Sequence, residues 1–177
     1  MSVRKGFAAG LLSLLCSNTS YADSIVSEVR IGGLYHDVGF IGNRKETGAD
    51  LNSEILFSSP SFLNAIWSPR PDLGGTVNLW GQTSQVYAGL TWGYNFSEHF
   101  FGEFSFGPSF NNGRLDKSVD NRKEMGSPVL FRESLSLGVK FNKHNTLSMF
   151  VDHISNGGLA KYNGGMETVG LRYGYRF

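Results

Sequence analysis

Side chains of alternating polarity run through most of this sequence, in segments that turn-forming residues separate. In a β-strand, successive side chains point to opposite faces, so this alternation predicts strands with one apolar and one polar face. Between Gln85 and Phe96, for example, Gln85, Thr91 and Asn95 share one face. The opposite face carries Val86, Ala88, Leu90, Trp92, Tyr94 and Phe96.

The same pattern predicts an all-β fold. The eight segments that show it are Ile25–Gly39, Thr47–Ser58, Leu73–Thr83, Gln85–Phe96, Phe100–Phe110, Val129–Phe141, Thr146–Ser155 and Met166–Phe177. Their apolar face is rich in aromatic residues and their polar face carries arginines and glycines, which suits a lipid-facing exterior around a small polar lumen. We therefore predict an eight-stranded antiparallel transmembrane β-barrel of the outer-membrane type, with a soluble lipocalin-like barrel as the alternative.

The first 22 residues predict a secretory signal peptide rather than part of the fold. Arg4 and Lys5 precede an apolar run from Phe7 to Leu15, and Ala22 offers a small residue at the expected cleavage position. The apolar run is too short to span a membrane. Residues 23–177 are expected to form a single barrel domain, exported to the outer membrane of a Gram-negative cell.

Composition and motifs argue against several classes of function. The chain has 16 Lys and Arg against 15 Asp and Glu, so no basic excess indicates nucleic-acid binding. The single cysteine, Cys16, falls in the predicted signal peptide, which leaves the exported part without disulfide or thiol chemistry. The sequence shows no phosphate-binding loop, zinc-ligand spacing or Gly-x-Ser-x-Gly elbow, so neither a metal nor a cofactor is predicted.

A histidine, a serine and a glutamate near the C-terminus share one predicted face. His153 and Ser155 have the parity of the apolar residues in their strand, and Glu167 has the parity of the apolar residues in the last strand. Centring the hairpin turn near Ala160 places His153 opposite Glu167, with Cβ atoms about 5 Å apart. If both chain ends lie in the periplasm, the three residues face lipid at the outer rim, at the level of the outer leaflet.

These residue types are the ones that nucleophilic ester hydrolysis requires. A serine hydroxyl needs a base to take its proton, histidine can be that base near neutral pH, and a carboxylate can orient the imidazole ring. Backbone N–H groups of Asn156, Gly157 and Gly158 could form an oxyanion hole, because glycines let the backbone approach closely. The alternative is that these are ordinary polar residues at the rim of a non-enzymatic barrel with a structural or adhesive role.

The residues around this site resemble those of a known family. The segments "DHISNGG" and "NGGMET", followed by a strand that ends in aromatic residues, are similar to the PagL-type lipid A 3-O-deacylases. His153, Ser155, Asn156 and Glu167 match that family's His-x-Ser-Asn segment and a glutamate fourteen residues after the histidine. The resemblance extends to "VRIGGLYHDVG", "GTVNLWGQTSQVYAGLTWGYNF" and "LFRESLSLGVKF", and thus covers most of the exported chain.

The resemblance implies an outer-membrane barrel that hydrolyses the 3-O-linked acyl ester of lipid A. It implies a serine carboxylic-ester hydrolase with Ser155 as nucleophile, His153 as base and Glu167 as orienting carboxylate. Residues after the serine would supply the oxyanion hole, and Asn163 is a further polar candidate in the same loop. The expected partner is the lipid A of lipopolysaccharide in the outer leaflet, and a homodimer is left open.

Other polar residues receive structural interpretations. Glu133 shares the outward parity of its strand and is predicted to lie beside His153, either as a second carboxylate at the site or, the favoured interpretation, as a rim charge. His36 and Asp37 are adjacent and are predicted to face opposite sides of the sheet. Four arginines of inward parity are predicted to pair in the lumen with acidic residues such as Asp152; they are Arg30, Arg132, Arg172 and Arg176.

Overall fold

The computed structural model describes residues 24–117 and 121–177, which form one closed antiparallel barrel. Its strands pair in chain order, and the first closes the ring against the last. They are β1 (Val26–Tyr35), β2 (Ala49–Phe57), β3 (Arg70–Asn78), β4 (Gln85–Asn95), β5 (Phe100–Asn111), β6 (Val129–Lys140), β7 (Asn145–Ser155) and β8 (Met166–Arg176). The predicted eight-stranded all-β barrel is confirmed. The predicted signal peptide, residues 1–22, lies outside the described residues.

A single short 3-10 helix, Ser61–Ile66, interrupts the strands of the described chain, in the connection between β2 and β3. In residues 24–117 and 121–177, no helix has both the length and the apolar character needed to cross a membrane.

The largest difference from the predicted strands lies between the third and the fourth. The sequence predicts a third strand over Leu73–Thr83, whereas β3 begins earlier, at Arg70, and ends at Asn78. The Asn78 side chain explains the early end, because its Oδ1 accepts hydrogen bonds from the backbone N–H groups of Trp80 and Gln82. Such local bonds from an asparagine close a turn, so the chain forms a loop before β4.

The outer face of the barrel is apolar, and the inner face is mostly polar with some buried apolar side chains. In β7 the alternation continues through Phe150 and Ile154, whose inward parity places them in the interior with 0 % exposure. Outward apolar residues on strands around the whole barrel are exposed; they include Ile31, Leu51, Leu73, Val86, Leu135, Leu137, Met149 and Leu171. This polarity is the one expected for a barrel that is surrounded by hydrocarbon.

Buried ion pairs occupy the lumen. The Arg30 guanidinium contacts Glu28 at 2.9 Å, Glu54 at 3.1 Å and Glu103 at 2.8 Å. Burying an unpaired charge costs several kcal/mol, so each charge in the lumen depends on its partners. Further contacts of the same kind are Arg172–Glu54 at 3.0 Å, Arg132–Asp152 at 2.7 Å and Arg176–Glu28 at 3.2 Å. The predicted inward pairing of the arginines is confirmed.

One carboxylate, Glu46, joins several loops at the end of the barrel where β1 finishes. It accepts hydrogen bonds from the His36 ring, from the N–H and hydroxyl of Thr83 and from the N–H of Lys123. Burial raises the pKa of Glu46, but these hydrogen bonds outweigh burial and lower the pKa to about 2. Burial likewise lowers the pKa of His36, but hydrogen bonds to Asp50 and Glu46 raise it to about 9, so His36 is charged at neutral pH.

The prediction that His36 and Asp37 face opposite sides is wrong. Both side chains are 0 % exposed. Asp37 has a φ of +46°, a left-handed conformation that ends the strand alternation directly after β1. Its carboxylate thereby stays inside, where Oδ2 accepts the backbone N–H groups of Lys45 and Glu46 at 2.7 and 2.8 Å.

Two glycines at the β1–β8 seam give a matched test of barrel closure. A Cβ on Gly170 would lie 2.2 Å from the Gly33 carbonyl oxygen, whereas a Cβ on Gly33 would meet nothing within 4 Å. Gly170→Ala is therefore expected to destabilise the barrel by about 1–3 kcal/mol through overpacking, and Gly33→Ala by less than about 0.5 kcal/mol. Urea unfolding in detergent micelles measures both, and equal midpoints would contradict close packing at this seam.

Candidate active site

His153 and Glu167 form a hydrogen-bonded pair on neighbouring strands. They are register partners in the β7–β8 hairpin, so their side chains leave the sheet on the same face. His153 Nδ1 lies 2.8 Å from Glu167 Oε1. The His153 side chain is 21 % exposed, whereas the Glu167 side chain is 2 % exposed. The predicted position of His153 opposite Glu167 is confirmed, and Nε2 is the ring nitrogen that takes no part in this hydrogen bond.

Ser155 lies on the same outward face of β7, two residues beyond His153. Its own side chain is half-buried, while those of Ile154 and Asn156 on the inward side are buried. Within residues 24–117 and 121–177, no hydrogen bond joins the Ser155 hydroxyl to the His153 ring. Contacts between a nucleophile and its base are often long without substrate and tighten when it binds, so the arrangement is compatible with catalysis.

Glu133 flanks His153 on the side away from Glu167. It is the register partner of His153 in β6 and is half-exposed on the outer face. The prediction that Glu133 lies beside His153 is confirmed. Two carboxylates therefore border the ring, and of these two it is Glu167 whose side chain forms a described hydrogen bond to the ring. The favoured interpretation of Glu133 as a rim charge stays a prediction.

Asn156 organises the loop between β7 and β8. Its Nδ2 donates to the carbonyl oxygens of Met125 and Tyr162 at 2.9 and 2.6 Å, and its Oδ1 accepts the N–H of Gly158 at 2.9 Å. Its own backbone N–H donates to Asn163 Oδ1 at 3.0 Å. Two of the backbone donors predicted for the oxyanion hole, those of Asn156 and Gly158, are thus already bonded inside the loop, and Asn163 acts there as an acceptor.

Gly157 is the remaining backbone donor next to Ser155. Its φ of +65° is a left-handed conformation that glycine adopts without strain. A Cβ at this position would lie 3.4 Å from the Phe131 ring, so the backbone here runs close to the outer surface. Of the three predicted backbone donors, Gly157 is the one whose N–H no described residue accepts.

The loop between β5 and β6 holds the β7–β8 loop in place. Gly164 N–H donates to Glu124 O at 2.8 Å. The Lys123 ammonium donates to the carbonyl oxygen of Gly165, directly before β8, and contacts the Asp37 carboxylate at 2.7 Å. One lysine therefore joins the β1–β2, β5–β6 and β7–β8 loops. Lys123 is only 2 % exposed, yet the sequence carries no signal of this, because its neighbours form a polar, charged loop.

Fold and site together define a class of protein: an outer-membrane-type β-barrel that presents a histidine–carboxylate pair and a serine on its lipid-facing side. The chain matches the family model of PagL, the lipid A 3-O-deacylases, over residues 63–176. This match spans more than half of the chain and includes His153, Ser155 and Glu167. The protein therefore belongs to the PagL family of outer-membrane enzymes, and the resemblance inferred from sequence is confirmed.

Solved structures share the barrel at low sequence identity. The crystal structure of the outer membrane enzyme PagL is 18% identical, with a TM-score of 0.63 over 84% of this chain and 99% of that chain. A de novo designed transmembrane β-barrel is 10% identical, with a TM-score of 0.54 over 88% of this chain and 98% of that chain. Identities this low establish the fold alone. No curated protein sequence matches the chain.

Lys123→Met tests whether the link between the loops supports the site. Removing the ammonium leaves the buried Asp37 carboxylate without its cation, which is expected to cost about 3–5 kcal/mol. Lys45→Met is the matched control, because Lys45 pairs with Glu124 at 2.6 Å but its side chain is 31% exposed. An ion pair at the surface contributes only about 0–1 kcal/mol.

The two lysine variants are compared by their unfolding midpoints in detergent micelles and by the rate at which protease cleaves the β7–β8 loop. Lys123→Met is expected to unfold at lower urea concentration and to be cleaved faster than Lys45→Met. Equal stability and equal cleavage rates would show that Lys123 does not hold this loop.

Proposed function

We propose that this protein is an outer-membrane esterase that hydrolyses the 3-O-linked acyl chain of lipid A, with Ser155, His153 and Glu167 as its catalytic residues. The observation that carries the proposal is the His153–Glu167 hydrogen bond on the outer face of the barrel, beside Ser155. A charged side chain on a lipid-facing strand costs free energy, although less near the interface. A role in catalysis would explain why a carboxylate lies on this face despite that cost. Family membership supports lipid A as the substrate.

The proposed reaction starts with attack of Ser155 Oγ on the carbonyl carbon of the ester. With Glu167 ionised, the N–H at His153 Nδ1 donates a hydrogen bond to the Glu167 carboxylate. Nε2 then carries no proton and can take the proton of the serine. Negative charge develops on the carbonyl oxygen, and the Gly157 N–H is proposed to stabilise it. The tetrahedral intermediate then expels the sugar hydroxyl, which receives its proton from Nε2.

Release of the fatty acid completes the cycle. A water molecule gives a proton to His153 Nε2 and attacks the acyl-serine, and the ring returns that proton to Ser155 as the fatty acid leaves. Glu167 stabilises the imidazolium that forms in both steps. Among the described residues, the His153 ring is the hydrogen-bond partner of the Glu167 side chain, so the carboxylate acts on that ring rather than on other groups.

Apolar grooves on the lipid-facing surface support lateral entry of the substrate. A cavity of about 270 Å³ is lined by Phe131 and Leu159. It adjoins Ser155, because Phe131 in β6 is the register partner of Ser155 in β7. A larger groove of about 570 Å³, lined by Val151 and Met149, extends further along the same strands. Acyl chains in the outer leaflet could lie in these grooves while the ester reaches the serine. The three proposed catalytic residues lie on one chain, and a homodimer stays a prediction that crosslinking in membranes would test.

The direct experiment is incubation of the purified, folded protein with lipid A in micelles, followed by mass spectrometry. Loss of one 3-O-linked hydroxyacyl chain supports the proposal. Unchanged lipid A at all enzyme concentrations would contradict it and would favour the alternative, a non-enzymatic barrel with a structural or adhesive role.

Ser155→Ala and His153→Ala are each expected to lower turnover by on the order of 10⁴-fold or more, because nucleophile and base act as a unit. Both side chains lie on the outer face near a strand end, so neither truncation should open a cavity in the interior. Circular dichroism and gel mobility confirm folding before the assay. Full turnover by folded Ser155→Ala protein would exclude serine as the nucleophile.

Glu167→Gln is expected to lower turnover by roughly 10²–10⁴-fold, less than Ser155→Ala, since nucleophile and base remain while the ring loses its ionised partner. Glu133→Gln is the matched control, because Glu133 borders His153 from the other neighbouring strand. It should change turnover by no more than a few-fold. A larger loss of turnover in Glu133→Gln than in Glu167→Gln would show that Glu133, and not Glu167, is the carboxylate that supports His153.

Met149→Arg tests entry from the lipid side. Met149 lines the large outer groove, whereas Leu51 is an exposed outer-face residue of β2, away from that groove. Arginine at either position carries an insertion cost of about 2–4 kcal/mol near mid-membrane. Only Met149→Arg should also raise the KM for lipid A, relative to Leu51→Arg. Equal KM values in folded variants would argue against an acyl-binding role for the groove.

A further inference from the structure

The connection between β2 and β3 lies at the barrel end opposite the candidate site. It starts beside the first described residues, since Ser58 N–H donates to Ile25 O and Ser58 Oγ donates to Ser24 O. The last described residue, Phe177, is at the same end, where its N–H donates to Ser27 O. With the candidate site in the outer leaflet, this end of the barrel reaches the periplasmic leaflet.

The composition of this connection differs from that of a water-exposed loop. No charged residue occurs between Phe57 and Arg70, where the sequence reads "SSPSFLNAIWSP". Phe62, Ile66 and Trp67 are nevertheless 76%, 40% and 88% exposed. Large apolar side chains that are grouped in one exposed segment indicate contact with a membrane or with another protein.

The backbone of the connection is folded in a way that presents Trp67 outward. Trp67 and Ser68 have φ values of +65° and +51°, a left-handed conformation that residues other than glycine rarely adopt. Local hydrogen bonds hold this turn: Ser68 Oγ donates to Asn64 Oδ1 at 2.9 Å, and Ser68 N–H donates to Leu63 O at 3.0 Å. The exposure of Trp67 is therefore a property of a defined turn.

The connection continues the aromatic surface at this end of the barrel. Trp92, an outward residue of β4, donates its indole N–H to Ile66 O at 2.8 Å and stacks on Phe104. Tyr94 and Phe96 follow on the same outer face, with ring centroids 5.4 Å apart. Tryptophan and tyrosine are enriched where a membrane meets water, so this surface belongs at an interface.

We infer that the segment Ser61–Trp67 lies in the plane of the membrane interface and inserts Phe62, Ile66 and Trp67 among the phospholipids of the periplasmic leaflet. The absence of charge in this segment fits hydrocarbon, and its bond to Trp92 makes it continuous with the lipid-facing barrel surface. Held in this way, the barrel keeps one depth in the bilayer, which sets the height of the candidate site in the opposite leaflet. The choice of leaflet rests on the proposed function, whereas insertion of the segment does not require turnover.

A nitroxide spin label tests the inference, since the predicted mature chain lacks cysteine and accepts a single new one. Phe62→Cys is labelled in vesicles of phosphatidylethanolamine and phosphatidylglycerol. Lys143→Cys, in the exposed β6–β7 turn at the same barrel end, is the matched control. The label at position 62 should collide several-fold more with oxygen than with a water-soluble nickel chelate, and the label at position 143 should show the reverse.

Two results would overturn the inference. Equal access of the nickel chelate to both labels would place the segment in water. Shielding of the label at position 62 from oxygen as well as nickel would mean that protein covers it, either a second copy of the chain or another partner.

Native tryptophan fluorescence gives a measurement that needs no cysteine. The difference in emission between wild type and Trp67→Phe reports Trp67 alone, and brominated phospholipids should quench this difference in the same vesicles. A difference that acrylamide quenches and brominated lipid does not would exclude insertion of Trp67. The Trp67→Phe protein should still deacylate lipid A, so failure of the anchor and failure of the proposed activity remain distinguishable.

Discussion

Backbone groups in hydrocarbon have no water to bond with, and this constraint governs the whole structure. Strands that cross a bilayer must pair along both edges, which for a single sheet means closure. Here β1 meets β8 in an unbroken antiparallel register from Glu28 to Tyr35. Closure with eight strands leaves a narrow interior that side chains fill. One side of every strand therefore faces the lumen, and the arginines and carboxylates that are buried there must form pairs.

The pair of His153 and Glu167 is an exception to the pattern of an apolar outer face and charged groups in the lumen. It puts a carboxylate on the outer face, near the end of β7 and the start of β8, and the Glu167 side chain is almost completely buried there. The loops at this end of the barrel are tied together through Glu46 and Lys123. The pair thus lies on the outer face of the barrel and beside a network of polar contacts between loops, an arrangement that fits the proposed entry of substrate from the lipid side.

The alternating pattern predicted the faces of nearly all strand residues, because a period of two is fixed by strand geometry whatever the surrounding contacts. It failed where a local interaction ended a strand. The φ of +46° at Asp37 stops the alternation after β1, and the side chain of Asn78 closes a turn that the sequence presents as continued strand. Both residue types favour turns, but neither identity says that this particular residue ends the strand.

By itself, the sequence determined the barrel, the outward parity of His153, Ser155 and Glu167, and the family motif that contains them. Only the tertiary structure decided which groups near the site are already bonded and what supports them. Asn156 turned out to be the centre of its loop, and Lys123 a buried link to Gly165, 42 residues away. Strand parity repeats locally and can be read along the chain, whereas contacts between loops depend on closure of the barrel, which brings distant segments to the same end.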